Sequence, residues 1–267
     1  MRQIAIVLAA GRGKRMHSKV AKQYLLIKGR PVLYYALKQF EESFMDDIIL
    51  VTGAEDIAYC TENIVKKFGF TKVHKVVAGG KERYHSVHQG LLAASELMKQ
   101  LAEQQAADAK SGEQTALKLE AEEAAEACIY IHDGARPLIT EEILIRAKES
   151  VEQHGSGVVG MPVKDTIKLA DEDGFVVRTP KRSLVWQVQT PQCFLFSKIM
   201  SAYNTLMKKE EELLAQGIAI TDDAMVVELL DGSKVKLVEG SYENIKITTP
   251  EDLGVAERFL EEQNLII

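Results

Sequence analysis

The sequence predicts an α/β fold, a Rossmann-like and mostly parallel sheet flanked by helices. Short, apolar, β-branched segments alternate along the chain with longer amphipathic stretches, which is typical of βαβ units. Strands are predicted at Gln3 to Ala9, Asp47 to Thr52, Val73 to Ala78, Cys128 to His132 and Gly157 to Pro162. Helices are predicted at Pro31 to Ser43, Glu55 to Phe68, Tyr84 to Leu101 and Glu141 to His154. Ligands of such folds bind at the carboxyl ends of the strands.

Residues 163–185 interrupt the alternation and predict a protruding β-hairpin. Val163 to Leu169 and Phe175 to Thr179 flank a polar turn that ends in Gly174, a pattern typical of paired antiparallel strands. An isolated hairpin is only marginally stable in water. We therefore expect this arm to pack on another surface, such as a second subunit.

The remaining segments complete a single predicted domain, residues 1–267. Residues 101–126 are rich in alanine and acidic residues, and they predict either a solvated helix interrupted near Ser111 and Gly112 or a partly disordered loop. The C-terminal pattern predicts helices at 197–215 and 222–230, strands at 234–238 and 244–248, and a final helix from Thr249.

The composition is that of an ordinary soluble protein. The chain of 267 residues is 46% hydrophobic and carries a formal net charge of −6. No apolar run approaches the roughly 18 residues of a membrane span, and no signal-peptide pattern opens the sequence, so we expect a cytoplasmic protein that does not bind membranes.

The three cysteines form no CxxC pair, which disfavours disulfides and zinc. His85 and His88 are spaced for one helix face, but the sequence supplies no ligand set around them.

A basic, glycine-bearing loop follows the first predicted strand. The segment Leu8-Ala9-Ala10-Gly11-Arg12-Gly13-Lys14-Arg15-Met16 joins the strand to this loop, and residues 1–40 contain nine Lys or Arg and no Asp or Glu. In an acidic chain, such a segment favours a negatively charged ligand over a merely solvated turn. Exposed backbone N–H groups with nearby cations are typical of loops that wrap a polyphosphate.

The loop matches neither of two common phosphate-binding fingerprints. The pattern GxGxxG starts at Gly11 and Gly13 but meets Met16 at its third glycine, and no GxxxxGK[ST] pattern occurs. A nicotinamide dehydrogenase and a P-loop kinase are therefore disfavoured. The loop instead offers backbone N–H groups at its glycines and two cations, Arg15 and Lys22, that can stabilise charge during phosphoryl transfer.

Asp133 and Arg136 follow a buried strand and are candidates for a second part of the site. One or two carboxylates together with phosphate oxygens commonly hold Mg²⁺ in nucleotide sites, so Asp133 is a candidate metal ligand. A helix N-cap or turn role for Asp133 stays open. Arg136 is a candidate for binding a second anion, with a surface ion pair as the alternative.

Seven segments carry motifs in chain order: Leu8–Leu25, Gly79–Val87, His132–Pro137, Pro162–Lys168, Gln189–Gln192, Ile220–Asp223 and Glu239–Thr248. Together they resemble the 2-C-methyl-D-erythritol 4-phosphate cytidylyltransferase family of the non-mevalonate isoprenoid pathway. The resemblance spans nearly the whole chain apart from residues 101–126. It is specific because many sugar nucleotidyltransferases share the opening loop but not the full series. One residue departs from the family pattern, since Ala21 precedes Lys22 where the family usually has proline.

The resemblance implies an enzyme that transfers CMP from CTP to 2-C-methyl-D-erythritol 4-phosphate and releases pyrophosphate, with Mg²⁺ as cofactor. Its implied catalytic residues are Arg15 and Lys22, which stabilise the α-phosphate and the departing pyrophosphate, and Arg182 and Lys246, which position the acceptor. The implied nucleotide-binding residues, to which the loop adds Gly13, are Ala9, Ala10, Gly11, Gly80, Ser86 and the metal ligand Asp133. The implied acceptor-binding residues are Arg136, Thr166 and Thr190. The family forms homodimers, which gives residues 163–185 a dimerisation role.

Three other functions are weighed against this one. A ribitol 5-phosphate cytidylyltransferase has the same architecture, although the contexts around Lys22 and Lys246 favour methylerythritol. A non-catalytic nucleotide-binding protein would need the loop and base pocket alone, so Asp133, Arg182 and Lys246 argue against it. Nucleic-acid binding is disfavoured because the basic segment is short and lacks interleaved aromatic residues beyond Tyr24.

Overall fold

A mixed sheet forms the centre of the fold. The computed structural model describes residues 1–11, 20–108 and 126–263. Its strands are β1 (Arg2–Ala9), β2 (Leu26–Ile27), β3 (Arg30–Pro31), β4 (Asp47–Thr52), β5 (Val73–Ala78), β6 (Ala127–Asp133), β7 (Ser156–Pro162), β8 (Leu169–Ala170), β9 (Val176–Arg178), β10 (Trp186–Leu195) and β11 (Leu237–Glu239). In the described residues, seven of these strands form one sheet in the order β11-β7-β10-β6-β1-β4-β5.

The sheet is mostly parallel, as predicted. Strand β10 runs antiparallel to both of its neighbours, β6 and β7. The other neighbouring pairs of the sheet are parallel. The carboxyl ends of all its strands except β10 therefore lie at one edge, and ligands of open α/β sheets bind at that edge.

Helices cover both faces of the sheet. They are α1 (Val32–Glu42), α2 (Ile57–Cys60), α3 (Arg83–Asp108), α4 (Glu141–His154), α5 (Phe196–Ala215), α6 (Asp223–Leu230) and α7 (Glu251–Glu262), with α2 continuing as a π-helix over Thr61–Lys66. Alternate residues of β1 enter different cores, because neighbouring side chains of a strand point to opposite faces. Val7 packs in one core with Leu37 of α1, and Ile6 packs in the other with Leu91 of α3. These two buried layers account for the nearly continuous apolar strands of the sequence.

One predicted strand, residues 244–248, is wrong. The segment is irregular, and its backbone groups bond to a loop and to side chains instead of a neighbouring strand. Ile247 N–H donates to the Ala135 carbonyl at 2.9 Å, while Arg136 Nη1 and Lys22 Nζ donate to the carbonyls of Asn244 and Ile247 at 2.7 and 2.9 Å. The strand predicted at 234–238 is replaced by the shorter β11, displaced toward the C-terminus.

Strand β10 was not predicted. It contains Gln187, Gln189 and Gln192, so its apolar run is limited to the last residues, Cys193–Leu195; its Thr190–Pro191 peptide is cis. Its pairing with β7 is irregular between Val188 and Gln192, and proline in a sheet is typical of such irregular positions. The antiparallel strand is therefore recognised by its place between β6 and β7 rather than by its composition.

The arm contains a hairpin smaller than predicted. Strands β8 and β9 pair antiparallel across a turn at Asp171–Gly174, and Gly174 has a φ of +85°, which glycine adopts readily. Phe175 is 72% exposed and Val177 is 69% exposed. A hairpin that exposes such large apolar side chains is consistent with the expected packing on another surface.

Residues 101–126 begin as helix. Helix α3 continues beyond the predicted end at Leu101 to Asp108, and residues 109–125 lie outside the described ranges. Within those ranges, no helix is both long and apolar enough to cross a bilayer.

Candidate active site

A pocket of about 220 Å³ opens at the carboxyl-end edge of the sheet. β1 pairs with β4 on one side and with β6 on the other. The strand order therefore changes direction at β1, and α/β folds bind ligands at such switch points. The walls of the pocket come from the segments after β1, β5 and β6 and from the segment that follows β11. The lining residues are Leu8, Ala9, Ala10, Gly11, Lys22, Gln23, Gly80, Lys81, Glu82, Arg83, Ser86, Asp133, Ala135 and Lys246.

The loop after β1 reaches the pocket through its first residues. Ala9, Ala10 and Gly11 line the pocket, as the sequence predicts for nucleotide-binding residues. Gly13 and Arg15 lie in residues 12–19, outside the described ranges. Their roles stay predictions.

Lys22 is held at the pocket by a short 3₁₀ helix, Lys22–Tyr24. Tyr24 Oη lies 2.8 Å from Thr52 Oγ1 at the end of β4, and the Gln23 side-chain amide donates to the Ala9 carbonyl at 2.5 Å. Lys22 Nζ donates to the Ile247 carbonyl at 2.9 Å. The turn therefore connects the loop after β1 with the segment that carries Lys246.

The turn after β5 forms a second wall and needs glycine. A Cβ on Gly79 would lie 2.6 Å from Ser86 Oγ and 2.8 Å from the Ala10 Cβ, and one on Gly80 would lie 2.4 Å from the His85 Cβ. Gly80 N–H donates to Ser86 Oγ at 3.1 Å. The close approach brings Gly80 and Ser86, both predicted to bind nucleotide, onto the same wall.

Asp133 is surrounded by three cations. Its carboxylate lies 2.7 Å from Lys246 Nζ, 3.6 Å from Arg83 Nε and 3.9 Å from Arg136 Nε. Burial raises the pKa of Asp133, but the charges of Arg83, Lys246 and Arg136 outweigh it and hold the pKa well below its usual range. Asp133 is therefore ionised at neutral pH.

Arg83 is a pocket residue that sequence reasoning missed. Its Nη1 and Nη2 atoms donate to the two carboxylate oxygens of Asp223 at 2.8 and 2.7 Å. Asp223 is fully buried and also accepts a 2.5 Å hydrogen bond from the Tyr203 hydroxyl. The position of Arg83, three residues after Gly80 at the start of a helix, was the available signal, whereas its partner could not be identified from local sequence.

A chain of hydrogen bonds connects Asp133 with Thr190, His132 and Arg136. Asp133 N–H donates to Thr190 Oγ1 at 3.1 Å, Thr190 Oγ1 lies 3.1 Å from His132 Nδ1, and His132 Nε2 lies 3.0 Å from the Arg136 carbonyl. Burial lowers the pKa of His132 to about 4, so the ring is neutral at pH 7. A carbonyl only accepts, so Nε2 carries the proton and Nδ1 accepts from Thr190. Thr190 is 4% exposed and contributes to the site by accepting the hydrogen bond from the Asp133 backbone.

Arg136, Thr166 and Arg182 do not line the pocket as described. Arg136 lies behind Asp133, and its Nε atom is buried with no hydrogen-bond partner among the described residues. Thr166 and Arg182 are exposed in the arm region, where Arg182 Nη1 donates to the Lys164 carbonyl at 3.3 Å. Within the described residues, one chain therefore brings Lys22 and Lys246 together with the predicted nucleotide-binding residues other than Gly13, but not with Thr166 and Arg182 of the arm region.

Cations beside an ionised carboxylate at the carboxyl-end edge of a mostly parallel sheet are typical of nucleotide-using α/β enzymes, the class that includes nucleotidyltransferases. The chain belongs to the 2-C-methyl-D-erythritol 4-phosphate cytidylyltransferase (IspD) family, whose model matches residues 3–107 and 109–262. The family, the α/β fold class and the cytidylyltransferase activity predicted from the motifs are thereby confirmed.

Relatives match the chain over nearly its whole length. The 2-C-methyl-D-erythritol 4-phosphate cytidylyltransferase of Lachnoclostridium phytofermentans is 44% identical over 258 residues, which are 97% of this chain and 96% of the relative. That of Caldanaerobacter subterraneus is 43% identical over 257 residues, 96% of this chain and 97% of the relative. The crystal structure of 4-diphosphocytidyl-2C-methyl-D-erythritol synthase from Anaerococcus prevotii has a TM-score of 0.71 at 30% identity, covering 97% of this chain and 96% of that one.

Proposed function

We propose that the pocket at the ends of β1, β5 and β6 binds CTP and transfers its CMP group to 2-C-methyl-D-erythritol 4-phosphate. The observation that carries this assignment is the convergence of Lys22 and Lys246 on one pocket beside ionised Asp133. Two phosphorylated substrates repel each other, and an enzyme that joins them needs cations where they meet. The pocket supplies these cations in a chain that is acidic as a whole.

The nucleotide is bound between the loop after β1 and the turn after β5. Ala9, Ala10, Gly11, Gly80 and Ser86, which all line the pocket, form the cytidine site, and Gly13 adds a backbone N–H group for the phosphates. Glycine at both positions of the β5 turn lets the backbone approach closely. Backbone groups then recognise the nucleotide in a fixed orientation.

The reaction is an in-line attack by a phosphate oxygen of the acceptor on the α-phosphorus of CTP. A bond forms between that oxygen and the α-phosphorus, the bond to the β-phosphate oxygen breaks, and pyrophosphate leaves. Lys22 and Arg15 stabilise the charge on the α-phosphate and the leaving group. Lys246 and Arg182 position the acceptor. Arg136, Thr166 and Thr190 complete its binding site.

Mg²⁺ is the proposed cofactor, and Asp133 is its proposed ligand. Among residues 1–11, 20–108 and 126–263, no cluster of three or more His, Cys, Asp or Glu side chains is arranged to hold a metal ion. An ion enclosed by protein ligands does not fit, whereas Mg²⁺ that shares its ligands with phosphate oxygens does. The ionised Asp133 on the pocket wall suits that arrangement. When bound, the ion supplies positive charge to the triphosphate.

The working assembly is proposed to be a homodimer in the cytoplasm, with residues 1–267 as a single nucleotidyltransferase domain. The exposed Thr166 and Arg182 lie in the arm region rather than at this chain's pocket. An arm that packs on a second subunit brings these side chains to the partner's acceptor site. The exposed Phe175 and Val177 supply apolar surface for that contact.

Pyrophosphate release tests the proposal directly. We expect release from CTP and methylerythritol 4-phosphate together with Mg²⁺, and none when the acceptor or the metal is omitted. Parallel reactions with ribitol 5-phosphate identify the polyol, and turnover that is faster with ribitol 5-phosphate would overturn the acceptor assignment. CTP binding without turnover of either acceptor would support a non-catalytic nucleotide-binding protein instead.

A further inference from the structure

His85 of helix α3 is hydrogen-bonded to the turn after β5 and has no role in the proposed mechanism. Glu82 precedes the helix, and its N–H donates to His85 Nδ1 at 3.2 Å. In a capping box, the side chain of the third helical residue accepts from the backbone N–H of the residue before the helix, and Glu or Gln normally fills that position. His85 occupies it here with an imidazole.

The second nitrogen of His85 is fixed by helix α5. His85 Nε2 lies 3.1 Å from Glu210 Oε2, and the other oxygen of Glu210 accepts from the Tyr84 hydroxyl at 2.7 Å. Because a carboxylate accepts and the Glu82 N–H donates, the ring must carry its proton on Nε2 and leave Nδ1 free to accept. The two contacts select one neutral tautomer.

The same histidine packs directly against the nucleotide wall. The His85 Cβ lies where a side chain on Gly80 would be, and Gly80, Lys81, Glu82 and Ser86 line the pocket. A movement of the His85 ring therefore changes the wall that is assigned to the base.

We propose that His85 is a positioning residue for the nucleotide-binding turn, and that only its neutral Nε2–H form holds the turn in its binding geometry. This inference rests on the proposed CTP site. Protonation at Nδ1 replaces an acceptor with a donor that faces the Glu82 N–H, so the cap is lost. The turn then loosens and CTP binds more weakly, while the reacting phosphates keep their contacts.

Charged groups surround the His85 ring. Glu210 on α5 lies beside Nε2, the Glu82 N–H faces Nδ1, and the charge of Lys81 in the turn acts on Glu210. The Tyr84 ring contacts the His85 ring at 4.5 Å between centroids, with an angle of 43° between the ring planes. Donation from Tyr84 and then from His85 lowers the pKa of Glu210, so its carboxylate stays an acceptor.

Three variants separate positioning from folding. His85→Gln keeps an acceptor at the capping position but cannot titrate, whereas His85→Ala removes it. His88→Ala is the matched control, because His88 lies one turn further along α3 and also reaches α5, with Nε2 3.2 Å from Asn204 Oδ1, but within the described residues makes no hydrogen bond to the turn.

Calorimetric CTP binding and steady-state kinetics between pH 5.5 and 8 test the proposal. At pH 7.5 we expect His85→Ala to raise Kd and KM for CTP roughly five-fold, the scale of a lost cap, with kcat within about two-fold. His85→Gln should bind like the wild type at pH 7.5 and lose less affinity on acidification. The triphosphate itself titrates near this range, so this difference isolates the histidine.

The possible outcomes separate a failure of the proposed function from a failure of the role assigned to His85. No CTP binding by the wild type would overturn the proposed function. Normal binding with the same pH dependence in wild type and His85→Gln would overturn the role of His85 alone. Nitrogen-15 NMR of the histidine side chains adds a readout without turnover, since His85 should show the Nε2–H tautomer at pH 7.5. A predominant Nδ1–H tautomer would also overturn it, even if His85→Ala failed to fold.

Discussion

Lys246 Nζ lies 2.7 Å from Asp133 Oδ2 on the wall of the pocket. Two further cations, Arg83 and Arg136, face the same carboxylate. In the proposed reaction Lys246 turns to a substrate phosphate, and these two cations then keep Asp133 compensated. A lysine that can leave its ion pair at low cost is suited to positioning an acceptor.

Lys22→Ala should fold normally and lose turnover by at least ~10²-fold, the scale of removing a charge-stabilising donor from a reacting centre. Its Nζ contact with the Ile247 carbonyl is replaceable by water, whereas its charge is not. Turnover with saturating substrates and thermal unfolding provide the measurement. Arg15→Ala is expected to behave in the same way.

The matched control for that loss is Lys28→Ala. Lys28 belongs to the same basic segment but forms surface ion pairs with Glu257 and Glu261 at 3.0 and 2.8 Å. Its removal should leave turnover unchanged. Near-normal turnover in Lys22→Ala, or an equal loss in Lys28→Ala, would contradict the assignment.

Ala21→Pro should tighten CTP binding. Ala21 has a φ of −63° and a ψ of 141°, values that proline adopts without strain. Proline there removes freedom from the unbound loop, and such replacements are worth about 0.4 to 1 kcal/mol, which corresponds to a Kd lowered roughly two- to five-fold. Calorimetry measures the change.

The opposite substitution, Ala21→Gly, gives the loop more freedom and should weaken CTP binding. Unchanged or weaker affinity in Ala21→Pro would show that the residue does not limit pre-organisation of the loop. Both variants keep the charge of the neighbouring Lys22, so the comparison concerns the backbone.

Arg83→Met should destabilise the protein by about 3 kcal/mol or more, because it leaves the buried Asp223 carboxylate without its cation. The free energy of unfolding in urea is the measurement. Lys38→Met serves as the control, since it breaks a surface pair with Glu42 one helical turn away, and such pairs contribute less than about 1 kcal/mol. Equal losses in the free energy of unfolding for the two substitutions would contradict the stabilising role assigned to the Arg83–Asp223 pair.

Phe175→Glu combined with Val177→Glu should convert the proposed dimer to monomers, because charge is placed on the exposed apolar surface of the arm. Sedimentation measures the mass in solution. Leu214→Glu is the control, since Leu214 is 59% exposed on α5 rather than on the arm. A wild-type monomer, or a dimer that persists in the double variant, would exclude this dimerisation role.

Much of the site was predictable because its elements are local in sequence. The strand β1, its glycine-bearing loop and the Gly80 turn each carry their own signature, and the parallel topology brings their ends to one edge. For the same reason Ala9, Gly11 and Lys22 line one pocket, while their roles stay predictions. His85, in contrast, was noted for its spacing from His88, and that spacing concealed its bond to the turn.

The sequence by itself determined the alternation of strands and helices, the family and the concentration of basic residues after the first strand. Only the tertiary structure decided the pairing of Arg83 with Asp223, 140 residues away, the insertion of β10 between β6 and β7 and the irregular path of residues 244–248. Hydrophobic periodicity and turn signals indicate the secondary structure of a segment and which of its side chains are buried. They carry no information about which distant charge or strand completes it, because that choice depends on the packing of the whole chain.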